Sequence, residues 1–345
     1  MRHFIGDERG IALFLVLWVL ALLTVIVGEF CYTMRTEVNI TRNFKEETEA
    51  YYIAEAGLNR AIVEIMRNEK IPQKMNAPES DEEKVEERLR INTDIPAVPF
   101  GGGQFKVRVA NESGKINLNT ADEHLLRMML SGFGLEDKDR DVIVDSILDW
   151  RDTDQLHRVN GAENDYYRSL PGPYECRDGD FMSVGELLLV RGMTPKLFYG
   201  GLENMVTVYK GDRTLRGSKV TETLKVNINA ATHDMLIALP GMTEDLAREI
   251  GDYRKARDFK SVSEIFEIVG AEVYDSVKSY LTIQMLPYYT ITSVGITGDG
   301  KTRRRVEALV KIDAKAKKGY RIIRWLDDAP GAGICNYSGI KAEGG

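Results

Sequence analysis

Residues Ile11–Gly28 read IALFLVLWVLALLTVIVG, an apolar run of 18 residues without a charged side chain. As a helix this run is about 27 Å long, close to the roughly 30 Å hydrocarbon thickness of a bilayer. Between it and Ile71 the chain has no proline and one glycine, Gly57, so no strong breaker stops the helix. The pattern predicts one helix over residues 11–67 with a membrane span at 11–28.

The second half of this predicted helix is amphipathic. Apolar residues recur at steps of three and four, which places them on one face of a helix. These residues are Ala54, Leu58, Ala61, Ile62 and Ile65.

Composition excludes several classes of protein. The chain has 345 residues, 43% hydrophobic, which suffices for a large buried core. Its 46 Lys and Arg against 53 Asp and Glu give a formal charge of −7, so the basic excess typical of nucleic-acid binding is missing. The four histidines show no metalloprotease spacing, and three scattered cysteines allow at most one bridge. We therefore expect no catalytic apparatus centred on histidine.

An internal repeat covers the middle of the chain. Residues 116–126 (INLNTADEHLL) align with 226–236 (VNINAATHDML), and Phe181–Leu187 aligns with Phe259–Ile265. Capping-box spacing at Thr120–Glu123, Ser183–Glu186 and Ser261–Glu264 predicts three helix starts.

The second repeat resembles the tandem helix-hairpin-helix domains of DNA-uptake and repair proteins, with Leu239–Met242 (LPGM) as the hairpin. Residues 227–286 carry ten acidic and six basic side chains, and Glu244 and Asp245 follow the hairpin directly. These charges repel phosphate, so the repeat favours a packing module over a DNA-binding one.

Alternating residues predict strands on both sides of the repeats. Phe105, Val107 and Val109 alternate with basic residues, and Val306–Ile312 alternates in the same way. Between two such strands, Gly295–Thr302 (GITGDGKT) matches a phosphate-loop pattern letter for letter. Because a strand rather than a helix follows, we expect a hairpin turn at Asp299-Gly300 and no nucleotide binding.

The two repeats differ by an insertion of residues 152–180, rich in carboxylates. Asp152, Asp154, Glu163 and Asp165 supply the hard oxygen ligands that calcium takes. Their spacing is not that of an EF-hand, and a solvated acidic loop is an equally good interpretation on chemistry alone.

Three interpretations compete for the amino end: a cleaved secretory signal, a plain membrane anchor and a prepilin-type leader. A secretory signal should end its apolar run at a small-residue cleavage site, whereas here the run passes into Glu29 and Phe30. The short charged leader MRHFIGDERG, joined directly to the apolar helix, resembles the leaders of type IV pilins and type II secretion pseudopilins.

In the pseudopilin family a prepilin peptidase cuts after the leader glycine and methylates the new amino terminus. The resemblance thus implies Gly10 and Ile11 as the processing site. Most members carry glutamate at the fifth mature position, where this chain has Leu15. That departure resembles the minor pseudopilin K family, as does the insertion with Asp152-Thr-Asp154, Gly161-Ala-Glu163 and Tyr166-Tyr167.

The K-family resemblance implies a non-enzymatic tip subunit of the periplasmic pseudopilus that initiates its assembly for export of folded proteins. It further implies a single pass through the inner membrane with the bulk of the chain in the periplasm. Minor pseudopilins I and J are the implied partners, and calcium is implied in the helical domain. The alternative is a membrane-anchored helix-hairpin-helix protein for DNA binding or uptake.

The fold class expected is α+β, with a long amino-terminal helix, a small antiparallel pilin-like sheet and an inserted, mostly helical domain of two helix-hairpin-helix units. The predicted parts are a leader (1–10), the long helix (11–67), a linker (68–103), the sheet (104–115 and 287–326), a first helical unit (116–210), a second (211–286) and a tail (327–345).

Overall fold

The computed structural model describes residues 8–70, 91–92, 96–210 and 225–327. Predictions for residues 1–7, most of the linker, the start of the second helical unit and nearly all of the tail lie outside these ranges, as does Cys335. Helix α1 runs from Glu8 to Lys70 over 63 residues, so the long helix is confirmed. It extends three residues beyond each predicted end.

The two halves of α1 have opposite surroundings. Within the described ranges it is the one helix long and apolar enough to cross a membrane, and its apolar window is wholly unburied, with Trp18 59% exposed. The second half buries a stripe at helical spacing, because that face packs on a sheet. The stripe consists of Ala50, Ile53, Ala54, Leu58, Ala61, Ile62 and Ile65.

The sheet has five antiparallel strands in the order β1-β2-β7-β8-β9. Apolar side chains on one face of the sheet pack against the stripe of α1 and form one core with it. They include Phe105, Val107, Val109, Ile291 and Val306. The predicted pilin-like sheet is therefore confirmed, with one addition, since β1 lies within the range predicted as linker. The strands are β1 Val98–Phe100, β2 Gly103–Asn111, β7 Tyr288–Thr297, β8 Arg303–Ile312 and β9 Tyr320–Asp327.

The phosphate-loop letters form the β7–β8 hairpin, as predicted. Gly300 has a φ of 73°, which glycine adopts without strain, and β8 begins at Arg303. Thr302 Oγ1 donates to Glu46 at 3.0 Å, and Arg304 pairs with Glu47 at 2.5 Å. The hairpin is thus tied to α1 on the side nearer its apolar half.

The inserted helical domain consists of two units, each closed by a short parallel strand pair, β3 with β4 and β5 with β6. In the first unit the elements are β3 Ile116–Asn117, α2 Glu123–Ser131, α3 Asp137–Arg151, α4 Asn164–Arg168, α5 Pro195–Leu197, α6 Glu203–Met205 and β4 Val206–Thr207. In the second they are β5 Val226–Asn227, α7 His233–Ile237, α8 Glu244–Ala256, α9 Phe266–Val277 and β6 Leu281–Thr282.

The same polar contacts close both units. Asn119 accepts from the backbone N of Phe181 at 2.7 Å and donates to its carbonyl at 3.0 Å, and Asn229 does the same with Phe259 at 2.8 and 2.9 Å. Arg254 donates to the carbonyls of Ile228 and Ala231, as Arg151 does at the matching carbonyls. The aligned sequences therefore fold as a structural duplication.

Of the three predicted capping boxes, the one at Ser183 and Glu186 forms. Helix α2 is capped by Asp122, which accepts from the backbone N of Leu125, so the prediction for Thr120 was wrong. At Ser261 the side chain makes no capping bond, and Glu264 accepts from Lys260 N and from the Tyr253 hydroxyl.

Buried polar groups join the sheet to the helical domain. Asn111, at the end of β2, donates to the Leu286 carbonyl at 2.7 Å. Glu112 is 3% exposed and pairs with Lys115 at 2.8 Å, while Thr290 Oγ1 donates to it at 2.8 Å. Burial opposes ionisation of Glu112, yet Lys115 and the hydrogen bonds hold its pKa below the usual value.

The closest approach of α1 to the sheet gives the first prediction. A Cβ at Gly295 would overlap the backbone of Ala50 and Ala54, whereas a Cβ at Gly251 on α8 meets open space. We expect Gly295→Ala to lower the free energy of unfolding by about 1–3 kcal/mol, because α1 must move off β7. Urea unfolding of the detergent-solubilised chain measures this.

The matched control is Gly251→Ala, which should leave stability unchanged or raise it by up to about 1 kcal/mol, since alanine favours a helix. Equal effects of the two substitutions would contradict the close packing of α1 on β7.

Candidate metal centre

Two helix boundaries bring carboxylates together in the insertion. Asp152 directly follows α3, and Glu163 directly precedes α4. Oxygen atoms of Asp152, Asp154 and Glu163 lie within 4.8 Å of one another. A second group, which shares Glu163 with the first, consists of Glu163, Cys176 and Asp178. Its ligand atoms also lie within 4.8 Å of one another. Glu163 is therefore the centre of a cluster contributed by three parts of the insertion.

Glu163 is 1% exposed, and neither of its carboxylate oxygens has a hydrogen-bond partner. One oxygen each of Asp152 and Asp178 is also buried without a partner. Burial, reinforced by repulsion from Asp149, Asp152, Asp178 and Asp154, raises the pKa of Glu163 to about 7. A buried carboxylate in this setting is costly unless it is neutralised or paired.

In Asp152 and Asp178, neighbouring residues bind one carboxylate oxygen and leave the other without a hydrogen-bond partner. Arg158 pairs with Oδ2 of Asp152 at 2.8 Å, so Oδ1 is the oxygen without a partner. Oδ2 of Asp178 accepts from Gln155 at 3.0 Å and from Asn164 at 3.2 Å, again leaving Oδ1. Oδ1 of Asp154 accepts from the backbone N of Leu156 at 2.8 Å. The ligand atoms are thus oriented by a surrounding network.

A cluster of aromatic side chains packs within the insertion and against the end of α3. Tyr167, wholly buried, packs edge-on against Trp150 with ring centroids 5.2 Å apart and lies the same distance from Tyr174. Its hydroxyl accepts from the backbone N of Arg191 at 3.2 Å. Asp149, fully buried, pairs with Arg158 at 2.6 Å, although burial raises the pKa of Asp149. Packing therefore holds the carboxylates in place.

The donor set fits a hard divalent cation such as calcium. The unpaired oxygens of Asp152, Glu163 and Asp178 are carboxylate oxygens, the ligands that calcium prefers. Asp154 is exposed, so the cluster opens to solvent on its side. Burial raises the pKa of the Cys176 thiol to about 12, and a neutral thiol is a poor ligand for calcium. A bound cation would cancel the repulsion that raises the pKa of Glu163.

The structure brings together three of the four carboxylates singled out in the sequence. Asp165 stands apart, because it is exposed and its Oδ2 lies 3.3 Å from Nε2 of His157. Asp178 takes a place in the cluster that the sequence did not indicate. The predicted processing residues Gly10 and Ile11 lie in the first turn of α1.

Together these elements define a class of protein: a long, half-exposed amino-terminal helix, a pilin-like sheet packed on it, and an inserted helix-hairpin-helix domain that carries an acidic cluster. Residues 104–211 match the first-domain profile of type II secretion system protein K. Residues 222–282 match a helix-hairpin-helix motif profile.

Relatives agree with these matches. A type II secretion system protein K of Pseudomonas aeruginosa is 24% identical over 267 residues, 74% of each chain. That of Aeromonas hydrophila is 25% identical over 60% of this chain and 66% of its own length. A putative protein K of Escherichia coli K12 is 22% identical over 56% and 60%.

A solved structure shares the fold. A chain in the crystal structure of the GspK-GspI-GspJ complex from the type 2 secretion system of enterotoxigenic Escherichia coli matches with a TM-score of 0.54. The match is 15% identical and covers 83% of this chain and 98% of that one. The resemblance to the type II secretion protein K family, predicted from the sequence, is confirmed by these matches.

The raised pKa of Glu163 gives the second prediction. A folded-state pKa of about 7 against the usual 4.5 means that the protonated carboxyl is favoured by folding. The contribution to stability is complete below pH 4.5 and is lost as the pH rises to 7. In chelator, we therefore expect unfolding free energy to fall by about 2 kcal/mol over this interval, measured by urea unfolding.

Glu163→Gln removes the titrating group, so this variant should lose that part of the pH dependence and be the more stable chain at pH 8 in chelator. Asp165→Asn, outside the cluster, should retain the pH dependence. Identical pH profiles for the Glu163→Gln variant and the unmodified chain would contradict the assignment.

Proposed function

We propose that this chain is a non-enzymatic minor pseudopilin of the type II protein secretion apparatus, placed at the tip of the periplasmic pseudopilus. The observation that carries the proposal is α1, whose first half is exposed and apolar while its second half forms the core of the sheet domain. Such a helix anchors a folded head before assembly and packs beside other helices afterwards. The protein K relatives and the shared fold support the same function.

A single pass through the inner membrane follows from this proposal, with the head in the periplasm. The apolar window of α1 has a mean hydropathy of 2.6 and is long enough for one span. The leader before it then lies on the cytoplasmic side, where prepilin peptidase cuts between Gly10 and Ile11 and methylates the new amino terminus.

The tip position rests on chemistry at Leu15 and on the size of the head. A glutamate at this position would be a buried carboxylate in lipid, which is tolerated only when a neighbouring charge pairs with it. Leu15 needs no such partner, as expected of a subunit with no other subunit above it. The inserted helical domain adds bulk at the far end of the sheet, which would block further addition and make this subunit the start of the fibre.

The proposed partners are the minor pseudopilins I and J, since the matched crystal structure is of a GspK-GspI-GspJ complex. The exposed apolar residues of α1 beyond the span give these partners a surface for helix packing. They include Phe30, Val38, Ile40 and Phe44.

A DNA-binding function gains no support. The helix-hairpin-helix shape is present, but Glu244 and Asp245 occupy the first turn of α8, directly after the second hairpin. Glu244 also pairs with His233 at 2.7 Å. Backbone N–H groups that bind phosphate in such motifs would face these carboxylates.

We further propose that calcium binds Asp152, Asp154, Glu163 and Asp178 and stabilises the insertion. The cation supplies positive charge to oxygens that otherwise repel one another. Its role is structural, because it holds α3, α4 and the turn at Asp178 in one arrangement.

Processing gives the third prediction. Gly10→Leu should leave the precursor uncut, because the pseudopilin leaders that this chain resembles are cut after a glycine. Mass spectrometry of the membrane-extracted chain should find the mass of residues 11–345 plus one methyl group in the unmodified protein, and the full precursor mass in the variant.

Gly28→Leu is the control, since a Cβ there meets open space, and it should be processed normally. A mature chain that begins beyond Val27, or normal cutting of the Gly10→Leu variant, would refute the proposed function.

Calcium gives the fourth prediction. At a calcium concentration about 100 times the dissociation constant, binding should add about 2.7 kcal/mol to the free energy of unfolding. Removing calcium with a chelator should therefore lower the melting temperature by several degrees. Asp154→Ala should reproduce much of this loss in calcium buffer and respond little to chelator.

Asp165→Ala is the matched control, because Asp165 lies in the same insertion but outside the cluster. It should respond to chelator as the unmodified chain does. A chelator effect that Asp165→Ala removes and Asp154→Ala does not would contradict the proposed ligand set.

A further inference from the structure

The insertion is held at both of its ends by contacts that lie outside it. Arg151, the residue before the insertion, donates to the carbonyls of Leu118 and Ala121. Phe181, the residue after it, is bound through both backbone groups by Asn119. The three partners all lie in the segment between β3 and α2. One segment of the first unit therefore fixes the two points where the insertion leaves and rejoins the domain.

The second unit shows that these end contacts form without an insertion. Its Arg254 binds two carbonyls and its Asn229 binds Phe259, in the same way as their counterparts in the first unit. Four residues separate Arg254 from Phe259, whereas the insertion puts 29 between the matching residues of the first unit. Each unit also closes with its own parallel strand pair. Closure of a unit therefore does not depend on the presence of an insertion.

Charge repulsion acts across the boundary between α3 and the insertion. Among its neighbours, Asp149 of α3 repels the Glu163 carboxylate most, followed by Asp152 and Asp178. Arg158 offsets part of this repulsion, since it pairs with Asp149 at 2.6 Å and with Asp152 at 2.8 Å. Movement of the insertion away from α3 would separate Glu163 from Asp149. It would also bring the Glu163 oxygens, which have no hydrogen-bond partner, into contact with water.

Apolar packing opposes this movement. Tyr167 is wholly buried against Trp150, with ring centroids 5.2 Å apart, and Cys176 is 7% exposed. Trp150 also stacks on Phe181, with centroids 6.3 Å apart. Because Asn119 holds Phe181 in place, Trp150 keeps one aromatic neighbour when Tyr167 leaves. Opening of the insertion therefore loses the burial of its own side chains while the end contacts remain.

We propose that the insertion opens and closes as a separate local unit, and that a calcium ion at Asp152, Asp154, Glu163 and Asp178 keeps it closed. These residues belong to the start of the insertion, the position before α4 and the turn at Asp178, so one cation holds three parts of the insertion together. Without the cation, the head stays folded while this one segment opens far more often.

This inference rests on the calcium site of the proposed function and adds what the cation controls. Under it, calcium governs the order of one surface segment of the head and leaves the fold of the two helical units unchanged. The surface that the insertion presents to other subunits is then present in full only when calcium is bound.

The test uses Cys176 as a reporter of opening, because its thiol is buried inside the insertion. The reduced full chain in uncharged detergent is treated with N-ethylmaleimide, and peptide mass spectrometry follows the modification of each cysteine. Each rate is divided by the rate of the same thiol in urea-unfolded chain. Calcium at about 100 times its dissociation constant should slow modification of Cys176 about 100-fold relative to chelator, because calcium binds the closed insertion alone.

Ala121→Cys supplies a matched thiol in the first unit outside the insertion, and Ala231→Cys supplies one at the same position of the second unit. Both alanines are 0% exposed. In chelator, each introduced thiol should react at least about tenfold more slowly than Cys176, since it is exposed only when the unit itself unfolds. Far-ultraviolet circular dichroism shows which variants are folded, and either one suffices for the comparison.

Equal relative rates for Cys176 and the introduced thiols in chelator would overturn the proposal, because the insertion would then unfold together with its unit. A rate at Cys176 that is the same in calcium and in chelator would also overturn it. Asp154→Ala should raise the rate at Cys176 in calcium, whereas Asp165→Ala should not. If local opening fails while chelator still lowers the melting temperature, the calcium site stands, and the secretion function is tested separately by processing at Gly10.

Discussion

Packing of the second half of α1 on the inner face of the sheet is the contact on which the rest of the structure depends. Small residues permit it, since Ala50 and Ala54 pass the backbone at Gly295 without a side chain between them. Leu58 and Ile62 then fill the core at 0% and 1% exposure, each worth about 1.5–3 kcal/mol of burial. Because the helix is continuous, fixing this half also fixes the direction in which the apolar half leaves the head.

The helical domain is stabilised differently, by duplicated polar closures around an apolar core. In each unit an asparagine binds both backbone groups of a phenylalanine, and a half-buried arginine binds two carbonyls. These contacts supply hydrogen-bond partners to polar groups that burial would otherwise penalise. The cluster around Glu163 in the insertion differs, because its buried carboxylate oxygens have no hydrogen-bond partner. Cation binding would convert that cost into a stabilising contact.

Much of the fold was predictable from periodicity. The apolar stripe of α1, the alternation in β2 and β8 and the aligned repeats depend on local patterns of side chains, and the structure agrees with each. Helix starts were harder, because Asp122 and Thr120 are both residues that cap helices, and the fold begins α2 after Asp122, which accepts from Leu125 N. The β7–β8 hairpin shows the converse, since strand alternation after Thr302 outweighed a match to a phosphate-loop pattern.

The sequence predicted that carboxylates form the candidate site, but it did not predict which carboxylates belong to it. Glu163 is the extended residue before α4 and is buried, whereas Asp165 lies in the first turn of α4 and is exposed, so the two carboxylates do not meet at one site. Asp178 is 15 residues from Glu163 and enters the cluster through a turn in which it adopts a φ of 52°. Asn164 holds that turn, donating to Asp178 and accepting from Cys176 N. No sequence spacing encodes such a contact, because tertiary hydrogen bonds create it.

The apolar half of α1 contacts lipid tails and neighbouring helices about equally well, because both are apolar. This similarity limits how far that half can select its partners. Exchange of lipid for neighbouring helices involves no hydrophobic driving force, so close packing alone must favour assembly there. Discrimination among similar apolar helices by this half is therefore weak. Charged and shaped surfaces of the head lie in water, where mismatched charges cost more and complementary charges guide encounter. Under the proposed function, selection of partners thus falls to the surfaces of the head.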